Sequence, residues 1–227
     1  MRRFNHLEWP AGHTRRVKIE IWSDVVCPWC YIGKRRFEAA LARFEHAGEV
    51  EVVWKSFELD PGAPVRRGPT LEHLARKYGT TEEQAAKMHE RMTSVAAAEG
   101  LEFHLDETQG GNTLDAHRLL HLAKEHGLQG ELKERLLRAY FAECEPVGER
   151  EVLARLAEET GVPGAAEMLA SDQYTDAVRA DEHDARLLGI SAVPFFVIDR
   201  YYGIEGAQPS NTILQALDEA WSARAAA

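Results

Sequence analysis

The stretch SDVVCPWCYIGKRRF, residues 23–37, places two cysteines two residues apart where an apolar run meets an amphipathic one. Before it, residues 17–22 alternate apolar with polar side chains, which is typical of a half-buried strand. After it, apolar residues recur at spacings of three and four, which predicts a helix that begins near Pro28, because proline is tolerated in a first helical turn. The two cysteines therefore follow a strand and open a helix.

Strand signals occur again on both sides of a long helical stretch. Residues 50–59 are β-branched and aromatic, so they predict a second strand and a strand–helix–strand unit. Residues 70–188 are rich in Ala, Leu, Glu, Lys and Arg between glycines, which predicts five or six helices and no strand. Residues 193–198 and 201–204 then predict two strands joined by a turn, before a last helix that starts near Ser210.

This order predicts an α/β protein whose sheet domain is divided by helices. The expected divisions are an N-terminal tail over residues 1–16, a discontinuous α/β domain over 17–62 and 189–223, and a helical insertion over 63–188. Thr80-Thr81-Glu82-Glu83 is typical of a capping box that opens one of the inserted helices.

Net charge and the distribution of apolar residues argue against some classes of protein. The 227 residues include 27 basic and 37 acidic ones, a net charge of -10, which argues against a general nucleic-acid surface. The first 16 residues lack the apolar region of a secretory signal, and no later run has the length of a membrane span. We therefore expect a cytoplasmic protein.

The cysteine spacing favours redox chemistry. Three cysteines are too few for a disulfide scaffold, and a cytosolic CxxC is more often catalytic, redox-sensing or metal-binding. The unpaired N–H groups and positive dipole end of a helix favour a thiolate, so Cys27 is placed for a lowered pKa. Two intervening residues allow Cys30 to reach Cys27 across one helical turn. Half of a zinc site and two inert core thiols remain as alternatives.

A second motif, Val193-Pro194, opens an apolar strand. Proline removes a ladder donor, so it suits a strand beginning or an edge, and an X-Pro bond at a tight entry is compatible with the cis form.

Taken together, WSDVVCPWCYIGKRRFEAAL (22–41), the helical middle and GISAVPFFVIDRYYGIEGAQP (189–209) resemble the DsbA-like thioredoxin-fold family, specifically its FrnE-like cytoplasmic branch. The resemblance implies a thioredoxin fold split by a large all-α insertion and a thiol–disulfide oxidoreductase activity. It further implies that Cys27 is the exposed nucleophile and Cys30 the buried resolving thiol. Val193-Pro194 would form a cis loop that faces the disulfide and binds the substrate backbone.

The resemblance also indicates partners and contact residues. Protein disulfides or dithiols are the expected substrates, with glutathione as a co-substrate and with no metal or other cofactor. Asp24, Asn112 and His117 are candidate substrate or glutathione contacts, although Asn112 and Asp24 also suit backbone caps. Pro28 and Trp29 would support the active site, with Trp29 either contacting substrate or covering the helix end.

Two other functions remain as alternatives. One is a glutathione-dependent isomerase or transferase of the kappa or 2-hydroxychromene-2-carboxylate isomerase type, in which a serine commonly takes the nucleophile position that Cys27 holds here. The other is a non-enzymatic chaperone-like or zinc-binding module.

Two further features lie outside the motif itself. Acidic neighbours Glu143 and Glu145 are expected to raise the pKa of Cys144 and make it a non-catalytic thiol. The basic residues 34–36 either add positive potential near the thiolate or form a solvated helix face.

Overall fold

The computed structural model describes residues 2–3, 16–66 and 68–225, and this part of the chain contains seven strands and nine α-helices. The strands are β1 (Arg2–Arg3), β2 (Val17–Ser23), β3 (Val50–Ser56), β4 (Gly68–Pro69), β5 (Gln109–Gly110), β6 (Phe195–Ile198) and β7 (Tyr202–Glu205). The helices are α1 (Pro28–Leu41), α2 (Thr70–Tyr78), α3 (Glu82–Ala98), α4 (Leu114–Glu125), α5 (Gln129–Phe141), α6 (Arg150–Glu159), α7 (Ala165–Leu169), α8 (Thr175–Leu187) and α9 (Ser210–Ala225).

Five strands form one mixed sheet in the order β1-β7-β6-β2-β3. Strands β2 and β3 run parallel, with Val17 opposite Val50 and Ser23 opposite Ser56. A parallel pair needs a crossover connection, which α1 supplies, so the predicted strand–helix–strand unit is confirmed. Strand β6 lies antiparallel to the other side of β2, and β7 pairs antiparallel with β6.

The chain was predicted to begin with a tail over residues 1–16, but Arg2–Arg3 pairs antiparallel with β7 as strand β1. Strand β7 would otherwise be a sheet edge, and the two residues of β1 pair with its first two residues, Tyr202 and Gly203. Residues 1 and 4–15 of that predicted tail lie outside the described residues.

Strand β2 is buried on both faces, whereas its alternating pattern predicted one solvent face. Ile19 and Ile21 pack into a core with side chains of α1 and α9, and Trp22 packs into a second cluster on the opposite side. Glu20 is also buried, and it pairs with the Arg200 guanidinium. The charged residue is tolerated there because it has an opposite charge as its partner.

The chain divides into two compact units, which we call the sheet unit and the helical unit. The sheet unit consists of Met1–Ser23, Trp29–Phe57 and Asp181–Ala227, and the helical unit consists of Asp24–Pro28 and Glu58–Ala180. These boundaries differ from the predicted insertion over residues 63–188. Asp181 belongs to the sheet unit because its carboxylate accepts from Ser56 N–H at 2.9 Å and its carbonyl from Trp22 Nε1 at 2.9 Å.

The helical unit departs from the sequence prediction in two details. Residues 70–188 contain seven helices instead of five or six, because the five-residue helix α7 begins after Gly164, a left-handed glycine. Strands β4 and β5 form a ladder of two residue pairs, too short to produce an alternating pattern.

The capping box is present, with Thr81 as the cap and Gln84 as its reciprocal partner. None of the described helices combines the length and apolarity that crossing a membrane requires.

Candidate functional site

The cysteine pair lies at the start of α1, as the sequence predicted. Strand β2 ends at Ser23, Cys27 directly precedes the first residue of α1, Pro28, and Cys30 is the third residue of that helix. Both cysteines are thiols in the structure. The first turn of α1, all of it described, carries no acidic side chain. The positive end of the helix dipole therefore stays available to favour a negative sulfur.

Accessibility differs from what the resemblance implied. Cys27 is 4% exposed and Cys30 is 1% exposed, so both thiols are buried, although Cys27 was expected to be the exposed one. Cys27 is buried because it lies in the turn that follows β2, where Asp24 and Val25 are also fully buried. Between the cysteines, Pro28 is partly exposed, and Trp29, at 42%, is the most exposed residue of the motif.

The Val193-Pro194 segment packs against the helix that carries Cys30. Its peptide bond is cis, and the ladder with β2 begins one residue later, where Phe195 pairs with Trp22. The carbonyl of Pro194 accepts from the N–H of Gly206 at 2.9 Å. A Cβ atom added to Gly33 would lie 2.8 Å from Pro194 Cγ. Gly33 lies three residues after Cys30, so the proline ring covers the side of α1 on which Cys30 lies.

The basic residues 34–36 are held by local partners. Lys34 Nζ lies 2.5 Å from Glu38 Oε1, and Arg35 Nη1 lies 2.8 Å from the second oxygen of the same carboxylate. Arg36 donates to the carbonyl of Ala207 at 2.6 Å. Lys34 is only 4% exposed, so the interpretation of these residues as a solvated face is wrong for it. Glu38 also offsets much of the positive charge that they would place near the cysteines.

Asp24 forms the polar centre of the segment before Cys27. Its carboxylate accepts from Val25 N–H at 2.7 Å, from Leu59 N–H at 2.8 Å and pairs with His117 Nε2 at 3.2 Å. Burial by itself would raise the pKa of Asp24, but the hydrogen bond and charge of His117, the Leu59 N–H and the charge of Lys133 together hold that pKa below its ordinary value. Asp24 is therefore a buried carboxylate.

The geometry bears on the predicted contacts of Asp24 and His117. Their side chains are each 1% exposed and bond to one another, and contact of either with a substrate or glutathione stays a prediction. Asp24 does act as a backbone acceptor, which was the other interpretation. Its pairing with His117, 93 residues away, was not predicted, since no local pattern relates residues at that separation.

Asn112 stabilises the start of α4. Its Oδ1 accepts from Leu114 N–H at 2.9 Å, and its Nδ2 donates to the Pro61 carbonyl at 3.2 Å. Thr113, the residue that precedes α4, makes no such side-chain bond. The capping interpretation thus holds for Asn112, and its contact with a ligand stays a prediction.

Sequence reasoning overlooked Gly33 and Lys133. Lys133 lies on α5, is buried, and contributes positive charge near Asp24. Gly33 had a detectable signal, because glycine is disfavoured inside a helix and its presence indicates a close approach from outside.

Cys144 has a raised pKa, as predicted, but for a different reason. Burial raises the pKa of its thiol first, and the negative charge of Glu107 adds to it. The adjacent Glu143 and Glu145 pair with arginines, Glu143 with Arg135 at 2.8 Å and Glu145 with Arg155. An ion-paired carboxylate has little net charge left to act on a neighbouring thiol.

Half of a zinc site was one alternative for the cysteine pair. Over the described ranges, no three His, Cys, Asp or Glu side chains lie close enough together to hold a metal ion.

Comparison with known proteins gives consistent matches. The family model of the DSBA-like thioredoxin domain matches residues 18–218. A solved structure described as a probable DsbA oxidoreductase, from Streptomyces coelicolor, is 47% identical, with a TM-score of 0.87 and 91% of each chain covered. The protein YwbO of Bacillus subtilis is 32% identical over 186 residues, which cover 80% of this chain and 86% of YwbO.

A more distant structure shares the fold. The cytosolic disulfide reductase DsbM from Pseudomonas aeruginosa, solved with GSH, is 19% identical, with a TM-score of 0.63 and coverage of 89% of this chain and 98% of DsbM. At that identity the likeness shows the fold alone. The matches confirm the predicted fold class, an α/β thioredoxin fold with a helical insertion, and the FrnE-like branch stays a prediction.

Proposed function

Because the chain belongs to the DSBA-like thioredoxin domain family, we propose that it is a thiol–disulfide oxidoreductase in which Cys27 attacks and Cys30 resolves. One observation carries the assignment of roles: Cys27 directly precedes α1 and Cys30 lies in its first turn. A thiolate at a helix N-terminus is stabilised by the helix dipole and by backbone N–H groups, and the residue nearest that end gains most.

The cycle is balanced in thiols and disulfides. The Cys27 thiolate attacks one sulfur of a substrate disulfide, so a mixed disulfide forms and the other substrate sulfur leaves as a thiolate. Cys30 loses its proton and attacks the Cys27 sulfur, which releases the second substrate thiolate and leaves a Cys27–Cys30 disulfide. Two glutathione molecules reduce this disulfide and become glutathione disulfide. Every step is reversible, and the same residues run it in the oxidising direction.

Substrate binding is the second part of the proposal. Trp29 offers an exposed aromatic surface beside the cysteines, and the Val193-Pro194 segment lies on the helix that carries Cys30. An extended polypeptide can pair with backbone next to a strand end, as in other β-strand additions. Glutathione is proposed as the low-molecular-weight partner, and the DsbM structure with GSH supports that choice. The cytoplasm, where glutathione keeps thiols reduced, is the compartment that we propose.

Reduction of insulin in the presence of dithiothreitol tests the function. The wild-type chain should accelerate insulin precipitation, and Cys27→Ser should remove the acceleration. Cys144→Ser is the matched control and should leave the rate unchanged. Cys30→Ser should accumulate the mixed disulfide, visible as an adduct by mass spectrometry under non-reducing conditions. Full activity of Cys27→Ser would refute the proposal.

The direction of electron flow depends on the redox potential of the pair. Equilibration with glutathione buffers of varied ratio, followed by quantification of the Cys27–Cys30 disulfide, measures that potential. A value near that of thioredoxin favours a reductase, and a value near that of the strong oxidants favours an oxidase.

A further inference from the structure

The buried contact between Asp24 and His117 joins the segment that leads to Cys27 to helix α4, and both residues belong to the helical unit. The Asp24 carboxylate also accepts from the backbone N–H groups of Val25 and Leu59. A side-chain substitution does not remove these backbone donors. The His117 donor, in contrast, can be varied without changing the chain path.

The His117 ring makes this contact through only one of its two nitrogens. Its Nε2 lies 3.2 Å from Asp24 Oδ1, whereas its Nδ1 is buried and has no hydrogen-bond partner within the described part of the chain. Buried polar atoms are usually satisfied, so an unsatisfied one calls for an explanation. The ring hydrogen-bonds to Asp24 through Nε2 while Nδ1 stays unsatisfied. The bond to the Asp24 carboxylate is therefore the hydrogen bond that orients the ring.

Two further charged side chains of the helical unit, Lys133 and Glu58, lie near Asp24 in space or next to one of its partners. Lys133 on α5 is buried and its positive charge favours the ionised form of Asp24. Glu58, the neighbour of Leu59, is buried and forms an ion pair with Arg179 at 2.5 Å. Asp24 therefore holds a negative charge three residues before Cys27, and His117 is a side chain in hydrogen-bonding contact with it.

We propose that His117 is a positioning residue for Cys27, which acts by holding and screening the Asp24 carboxylate. An unscreened negative charge beside a thiol disfavours its thiolate form. A donor directed at the carboxylate reduces that effect and also fixes the start of the segment 24–27. The inference rests on the proposed role of Cys27 as the attacking thiol.

The expected size of the Cys27 pKa shift follows from the number of residues between Asp24 and Cys27. Three peptide units place the Cα atoms of Asp24 and Cys27 at most about 11 Å apart. Unit charges at that range, in a partly buried setting, shift each other's pKa by about one unit. Removing the donor should therefore raise the midpoint of Cys27 titration, and removing the carboxylate should lower it.

The test measures the rate of Cys27 alkylation by iodoacetamide against pH, in full-length protein that carries Cys30→Ser and Cys144→Ser. His117→Leu should raise the midpoint and Asp24→Asn should lower it, and the two shifts together should span about one unit, which is the whole effect of an unscreened carboxylate at this range. His117→Gln keeps a donor at the position of Nε2, so it should stay close to the parent. The matched control is His89→Leu, because His89 pairs with Asp106 at 2.7 Å in the same unit, and it should leave the midpoint unchanged.

Opposite signs are the decisive readout, since a purely structural role would move both variants in the same direction. A midpoint that rises in Asp24→Asn, or stays constant in His117→Leu, overturns the inference. If His117→Leu fails to fold, as judged by circular dichroism, the downward shift in Asp24→Asn and the parent-like midpoint of His117→Gln decide. Alkylation needs no turnover, so opposite shifts in the variants, together with a wild-type chain that does not accelerate insulin reduction, would support this inference and refute the proposed function.

Discussion

Replacing Gly33 by alanine tests whether the Pro194 ring is packed against α1 as closely as the structure shows. The new Cβ atom would lie 2.8 Å from Pro194 Cγ and 3.5 Å from Ala207 Cβ. Alanine is favoured over glycine inside a helix by about 1 kcal/mol, so without the contact the change would stabilise the protein. Overpacking typically costs about 1–3 kcal/mol, and because the proline ring is closed on the backbone nitrogen, only a change of ring pucker can displace its Cγ. Because the 2.8 Å approach is closer than real Cβ atoms come, the upper part of that cost, about 2–3 kcal/mol, applies, and the net loss is about 1–2 kcal/mol.

Urea unfolding followed by circular dichroism measures this free energy. Gly130→Ala is the matched control, because Gly130 is also helical, in α5, and nothing lies within 4 Å of its added Cβ atom. The control should be unchanged or more stable by up to about 1 kcal/mol. If Gly33→Ala unfolds at the same or a higher urea concentration than wild type, the close packing of Pro194 on α1 is refuted.

Three other predictions concern separate sites. Gly148→Ala should lower the free energy of unfolding by about 3 kcal/mol, because its Cβ atom would overlap the backbone carbonyl oxygen of Val65. Urea unfolding measures this, and a midpoint equal to that of wild type would contradict it. Asp24 has a folded-state pKa below its ordinary value of 3.8, so its stabilising contribution is present above that value and is lost as pH falls through the folded pKa. Below about pH 4, wild type should therefore lose stability faster than Asp24→Asn in urea unfolding, and parallel pH profiles would disprove it. In a chain with Cys27→Ser and Cys30→Ser, Cys144 should alkylate with a midpoint above that of an ordinary thiol and should return to the ordinary value in urea, because burial and Glu107 act only in the folded state.

Local patterns were sufficient for the elements that carry the cysteines. Strand β2, the beginning of α1 at Pro28 and the cap at Thr81 were predicted from residues within a few positions of each other. The same kind of pattern failed for α7 and for the β4–β5 ladder, because elements of five and two residues are too short to establish a period. Burial of Lys34 was missed for a related reason: a charged residue gives no sequence signal that a packed neighbour covers it.

The sequence by itself determined that two cysteines lie at the start of a helix after a strand, that a proline lies at the entry to a later strand, and that a helical segment separates the two. These features depend on backbone preferences and side-chain periodicity over short distances, which the order of residues specifies directly. Only the tertiary structure decided that His117 reaches Asp24, that Pro194 rests on Gly33, and that Cys27 is buried. Such contacts join residues far apart in the chain, and they depend on how the elements pack rather than on what each element is.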